Sequence, residues 1–146
     1  MPDTNEIKNN IKTSFVVKKA FFENKQRDGN FMLSPEVAVS IRKLNNDIWE
    51  TMLSYRVLDK EEQPFPFNLE VSIALISDLS STGFDKEQLI QYLKVNSVNI
   101  LFPYLRSAIT NITSAALVNP IVIPIVDTSA LASKIVINDL ENDQNQ

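Results

Sequence analysis

Between Val37 and Leu75 apolar and polar side chains alternate along most of the chain. In "EVAVSIRKL", Val37, Val39 and Ile41 fall on one side and Ala38, Ser40 and Arg42 on the other. In "WETMLSYRV", Trp49, Thr51, Leu53, Tyr55 and Val57 oppose Glu50, Ser54 and Arg56. "FNLEVSIALIS" sets Phe67, Leu69, Val71, Ile73 and Leu75 against Asn68, Glu70 and Ser72. A period of two is the mark of a strand covered on one face. Upstream, "SFVVKKAFF" is rich in β-formers and predicts a further strand from Phe15 to Phe22. The separators "ENKQRDGN", with Gly29, and "DKEEQPFP", with two prolines, read as loops. Pro35 suits a strand entrance, where its missing N–H breaks no ladder. Four successive strands with short connections predict an antiparallel sheet, arranged as a meander.

After Gly83 the period lengthens. Asp85 with Gln88 three residues on forms a capping-box pattern, and Leu89, Ile90, Leu93 and Val95 recur at helical spacing. The helix continues through "ILFPYLRSAITNITSAAL", with a bend or break expected at or before Pro103, because proline forfeits a hydrogen bond and crowds the preceding turn. Asn119 and Pro120 end it. "NPIVIPIV" reads as extended, and Asp127 can cap a last short helix over 128–137. The fold class is therefore α+β: a four-stranded antiparallel sheet, then a long kinked helix and a short C-terminal helix. Residues 1–13 read as a loose N-terminus, 14–137 as one domain and 138–146 as a disordered acidic tail.

Composition narrows the chemistry. The chain has 146 residues with 44% hydrophobic residues, enough for a real core. It contains neither cysteine nor histidine, which excludes disulfides, thiolate ligands and every imidazole-based triad. Fourteen basic against eighteen acidic residues leave a net charge of −4, so a basic nucleic-acid footprint is absent. With Gly29 and Gly83 the only glycines, a phosphate-cradling loop has nothing to be built from. The polar start lacks a signal-peptide core, and no apolar run approaches the roughly 20 residues of a membrane helix. A cytoplasmic, soluble protein is the expectation.

No constellation of catalytic type emerges. The acids Glu61, Glu62, Glu141 and Asp143 read as solvated loop and tail charges, and no metal set or cofactor is expected. Ser107, Thr110, Thr113 and Ser114 on the long helix have no base beside them and read as small residues that let helices approach. The apolar surplus is more informative. Phe31, Met32, Leu33, "NPIVIPIV", Leu131, Ile135 and Ile137 exceed what one thin sheet and two helices cover. For any one of them ordinary core is an even-odds reading. Together they suggest burial between subunits and an open apolar groove.

The run "VNILFPYLRSAITNITSAALVNPIVIPIVDTSAL" closely resembles the C-terminal signature of the SecB bacterial export chaperone family. Asn99, Ile100, Leu101, Phe102, Pro103, Tyr104 and Arg106 match its "NILFPYAR" helix, followed by Ile109, Thr110, Ser114, Pro124, Val126, Ala130 and Leu131. Pro35, Glu36 and Val37 resemble the opening of the family's second strand. The likeness spans about residues 14–134 and is specific in the final third. It implies a homotetramer, a dimer of dimers with the long helices between two sheets. The implied interface is Phe102, Pro103, Tyr104, Ser107, Ala108, Thr110, Asn111, Ser114 and Ala115. It also implies grooves for unfolded polypeptides, here drawing on Met32, Leu33, Ile123, Ile125, Leu131 and Ile135.

In the family an acidic sheet patch and a C-terminal tail recruit the motor SecA. Glu70 matches one acidic position, while Asn68 and Asn24 do not rebuild the others. Leu33 stands where a Trp is usual, and Thr128 and Ala132 where the short helix has Phe, which makes the groove more aliphatic. The leading expectation is an ATP-independent holdase that keeps unfolded clients export-competent. A SecB-like chaperone dedicated to an antitoxin is the close alternative. An oligomeric binder of small apolar ligands is the third, and it expects a closed pocket of roughly 300–1,000 Å3.

Overall fold

The structure, a computed structural model, describes residues 11–116, 118, 119, 121, 136 and 137. The strands are β1 (Lys12–Asn24), β2 (Glu36–Asn45), β3 (Ile48–Val57), β4 (Phe67–Asp78) and β5 (Val136–Ile137). Between β4 and β5 lie α1 (Lys86–Gln91), a π-helical turn (Tyr92–Asn96) and α2 (Ser97–Ala115). The expected four antiparallel strands and long helix are all present. β1 is longer than the span 15–22 read from composition.

The strand order is β1-β4-β3-β2-β5, which corrects the meander. β2, β3 and β4 do follow one another, but β1 pairs with β4, at the far side from β2. The connection over residues 25–35 therefore crosses one end of the sheet, as in a Greek key. Alternation specifies which face a residue takes and not which strand lies beside it. Contacts particular to β1 favour β4: Phe22 lies 5.1 Å from Phe67, and Lys19 bridges to Glu70 at 2.8 Å. β5 adds a short parallel pairing, Val136 and Ile137 against Ser40 and Ile41. The helix expected over 128–137 thus ends in two strand residues, and its positions 128–135 lie outside the described residues.

One face of the sheet is closed by α2, which lies over β3 and β4. Leu53, Leu69, Val71 and Leu75 meet Leu101, Leu105 and Ile109 there, all nearly or fully buried. A second cluster, Ile41, Trp49, Leu79, Tyr92, Leu93 and Val98, fills the space under the π-helical turn. Asp85 caps α1 with the expected reciprocal box, accepting from Gln88 N–H at 2.9 Å while Gln88 Oε1 accepts from Asp85 N–H at 3.1 Å.

α2 runs unbroken through Pro103. The departure from regular α geometry comes earlier, at Tyr92–Asn96, where the wider turn buries Tyr92 and Leu93 and brings the Tyr92 hydroxyl to 3.2 Å from Ser77 Oγ. Pro103 removes a single helical donor on the exposed side, and the buried residues on both sides of it keep the helix continuous.

Candidate functional site

The crossing connection, the start of β4 and the chain just after α2 frame a cavity of about 570 Å3. Phe31 and Leu33 line one wall, Phe65 and Phe67 another, and Val118 and Ile121 a third. Local sequence explains each wall. Gly29 takes a φ of +131°, a conformation open to glycine, and its neighbour Phe31 swings inward to 6.4 Å from Phe65. Phe65 packs edge-on to Phe67 at 4.8 Å, so the floor is aromatic.

Polar ties hold the walls. Asp59 accepts from Phe65 N–H at 3.0 Å and from Arg27 Nε at 2.8 Å, and its own N–H donates to Asn68 Oδ1 at 2.7 Å. The Phe65 N–H bond and the Arg27 guanidinium hold its carboxyl below the usual range. Lys25 N–H donates to Pro66 C=O at 2.9 Å. The crossing connection is thereby fastened to the β3–β4 loop at the cavity's edge.

Of the residues expected in a groove, Met32 is 78% exposed and Leu33 is 44% exposed at the cavity. Ile123, Ile125, Leu131 and Ile135 lie outside the described residues. Phe65, Phe67, Val118 and Ile121 were missed as site residues. The "PFPFN" run carries a signal in its two aromatics, but strand alternation alone assigned Phe67 to core and left Phe65 in a loop.

A second apolar surface lies elsewhere. α2 exposes Ile100, Pro103, Tyr104, Ser107, Asn111, Ser114 and Ala115 along one side, with Ala108 and Thr110 half-buried at its margin. Phe102 is corrected: it is 8% exposed and sits in this chain's own core, because it turns with Leu101 and Leu105 toward the sheet. Tyr104 extends the stripe onto β1, its ring 4.6 Å from that of Phe15. Phe15 and Val17 share the helix face of the sheet but lie beyond its cover, 47% and 65% exposed.

The opposite face of the sheet is ionic. Glu50, nearly buried, receives Lys18 at 2.9 Å and Arg42 at 3.2 Å. Burial acts to raise its pKa, and the two cations more than offset this and leave it lowered. The register shift between Val17 and Lys19 places Lys18 where it can reach across β4. Glu36 is held by Lys60 and Arg56, which lower its pKa to about 2. Glu70, the one acid matched to a motor contact, is engaged by Lys19. Among the described residues no group of acids could hold a metal ion, and no helix is long and apolar enough to cross a membrane.

A sheet closed on one side by a long helix, with an open cavity at one end and exposed apolar side chains on an edge strand, defines an α+β protein with two apolar surfaces open to solvent. The comparisons specify the class. A family model described as preprotein translocase subunit SecB matches residues 4–136, and the chain belongs to the SecB family, one of chaperones and not enzymes. It is 31% identical over 101 residues to the protein-export protein SecB of Blochmanniella pennsylvanica, covering 65% of this chain and 64% of that one. It is 26% identical over 140 residues to an uncharacterised protein of Methanocaldococcus jannaschii, covering 92% and 89%. In fold it resembles the Mycobacterium tuberculosis SecB-like chaperone in complex with a peptide from the HigA1 antitoxin. The TM-score is 0.65 at 11% identity, over 85% of this chain and 96% of that one.

Proposed function

We propose that the protein is an ATP-independent holdase that binds unfolded polypeptides along an apolar groove and keeps them competent for export. The observation that carries this reading is the open cavity of about 570 Å3, aromatic at its floor and rimmed by the exposed Leu33, in a chain of the SecB family. Each buried aliphatic client side chain contributes roughly 1.5–3 kcal/mol. Association and ordering oppose it by roughly 4–15 kcal/mol, so one short segment binds weakly. Several grooves on one assembly raise the effective concentration and gain ~100-fold.

The assembly in this reading is a homotetramer, a dimer of dimers, acting in the cytoplasm. Its support is the uncovered surface of Phe15, Val17, Tyr104 and the small residues of α2. Ile123, Ile125, Leu131 and Ile135 are assigned to the groove with Met32 and Leu33. A SecA contact through Glu70 would have to displace Lys19 from it. A second reading, a chaperone dedicated to an antitoxin, is favoured by the antitoxin peptide bound to the structural neighbour.

Aggregation of a chemically denatured client, followed by light scattering, tests the holdase. Wild type suppresses it near one tetramer per client, and Leu33→Asp loses suppression while keeping its assembly. Equal suppression by the variant would place the groove elsewhere. Suppression confined to an antitoxin would favour the second reading.

A further inference from the structure

The main chain of Ile121 is held by two side chains of α2. Its N–H donates to Thr113 Oγ1 at 2.9 Å, and its C=O accepts from Thr110 Oγ1 at 2.8 Å. Thr113, fully buried, directs its own proton to Ile109 C=O at 2.8 Å, with Thr110 C=O at 3.2 Å. Its hydroxyl is thereby oriented with a lone pair toward Ile121. Thr is stiff at χ1, so both oxygens stand ready in the helix. Val118 N–H returns to Thr113 C=O at 3.4 Å, and the chain turns back along α2 as it leaves the helix.

Ile121 is a wall of the cavity, facing the floor of Phe65 and Phe67, with its side chain in the core. The hydroxyls therefore fix where this wall of the cavity stands. The crossing connection is tied by an ion pair at an exposed guanidinium, Arg27 to Asp59, whereas the Ile121 wall rests on two neutral hydrogen bonds, one buried and one part-buried. We infer that Thr110 and Thr113 are positioning residues for the client site, which set the cavity's width and hence the bulk of side chain it prefers. This rests on the polypeptide-binding reading.

Two unstructured peptides of equal length and charge, with every apolar position Phe in one and Val in the other, serve as probes, read by fluorescence anisotropy. Wild type binds the Phe peptide about tenfold tighter, from the extra apolar area buried. The Thr110→Val/Thr113→Val variant keeps side-chain shape, loses both bonds and brings the two affinities toward parity. Thr110→Ser/Thr113→Ser retains the hydroxyls and the wild-type ratio. A ratio of two affinities does not follow global stability, so a purely structural role would leave it unmoved. Should the double Val variant fail to fold, Thr110→Val alone is read, and it shows a smaller fall in the same ratio. An unchanged ratio in the folded Val variant overturns the inference alone. Wild type binding neither peptide overturns the polypeptide-binding reading with it.

Discussion

β1 and β4 lie side by side, paired along nearly their whole length, and both are rich in Val, Ile, Leu and Phe. Their environments are opposite. β4 is flanked by strands on both edges and covered by α2, and most of its residues are buried. Among the described residues β1 has a neighbour on one edge only, and of its residues Phe22 alone is even half-buried. An exposed apolar edge strand is an invitation to pair with another chain unless something covers it. The contrast teaches that similar apolar sequence takes two environments in this protein: β4 builds the core, and β1 leaves Phe15, Val17 and Phe21 exposed. The same division separates the closed core from the cavity at Leu33.

Substitutions should reveal the contrast most sharply in stability. Leu69→Ala on β4, at a fully buried position, should cost about 2–5 kcal/mol in a denaturant titration. Val17→Ala on β1 should cost under about 1 kcal/mol in dilute protein, since little apolar area is buried in the single chain. Phe15→Asp should leave secondary structure intact by circular dichroism but lower the assembly mass seen in light scattering. An equal stability loss at Leu69 and Val17 would erase the distinction.

The ion pairs that fasten β1 across the sheet give a smaller effect. Lys18→Ala/Arg42→Ala leaves Glu50 buried without its cations and should cost about 1–3 kcal/mol, reduced because Lys18 and Arg42 are partly solvated. Adding Glu50→Gln to that pair should recover most of the loss. On the closed side, Thr51 Oγ1 is fully buried and has no hydrogen-bond partner among the described residues. Thr51→Val should therefore raise stability by about 1 kcal/mol in the same titration.

Acid should act most gently. Glu36 and Glu50 have folded pKa values below their ordinary 4.5, so they bind fewer protons folded than unfolded at mildly acidic pH. Their stabilisation is complete above the ordinary value and is lost as pH falls toward about 2, where Glu36 itself protonates. Wild type should show this slope in melting temperature, and Glu36→Gln should flatten it across the window from 4.5 down to about 2.

Much of the fold was legible because burial imposes a period. β2, β3 and β4 have the faces their alternation predicts, and Asp85 with Gln88 caps α1 as the spacing requires. Strand order was not legible, since a period of two says nothing of neighbours, and β1 found β4 through Phe22 and Lys19. Pro103 misled in the other direction: a local cost is outweighed by packing on both sides of it.

The site was legible only in part. Met32 and Leu33 stood out as part of an apolar surplus and through the family resemblance, and both are exposed. Phe102 was read with its family neighbours as interface, whereas helical rotation turns it inward beside Tyr104, which faces out. Thr110 and Thr113 looked like small residues on a helix. Their partner, Ile121, is joined to them by a turn that no local pattern announces.

The most direct test is amide hydrogen exchange of the native protein, with and without an unfolded client. The account predicts that β1 is as protected as β4 before client is added and does not change, because in the proposed assembly other subunits cover it. Protection should rise on client binding at residues 29–33 and around Ile121. A β1 that exchanges freely in the unliganded protein and becomes protected only with client would contradict the division between subunit surface and client surface.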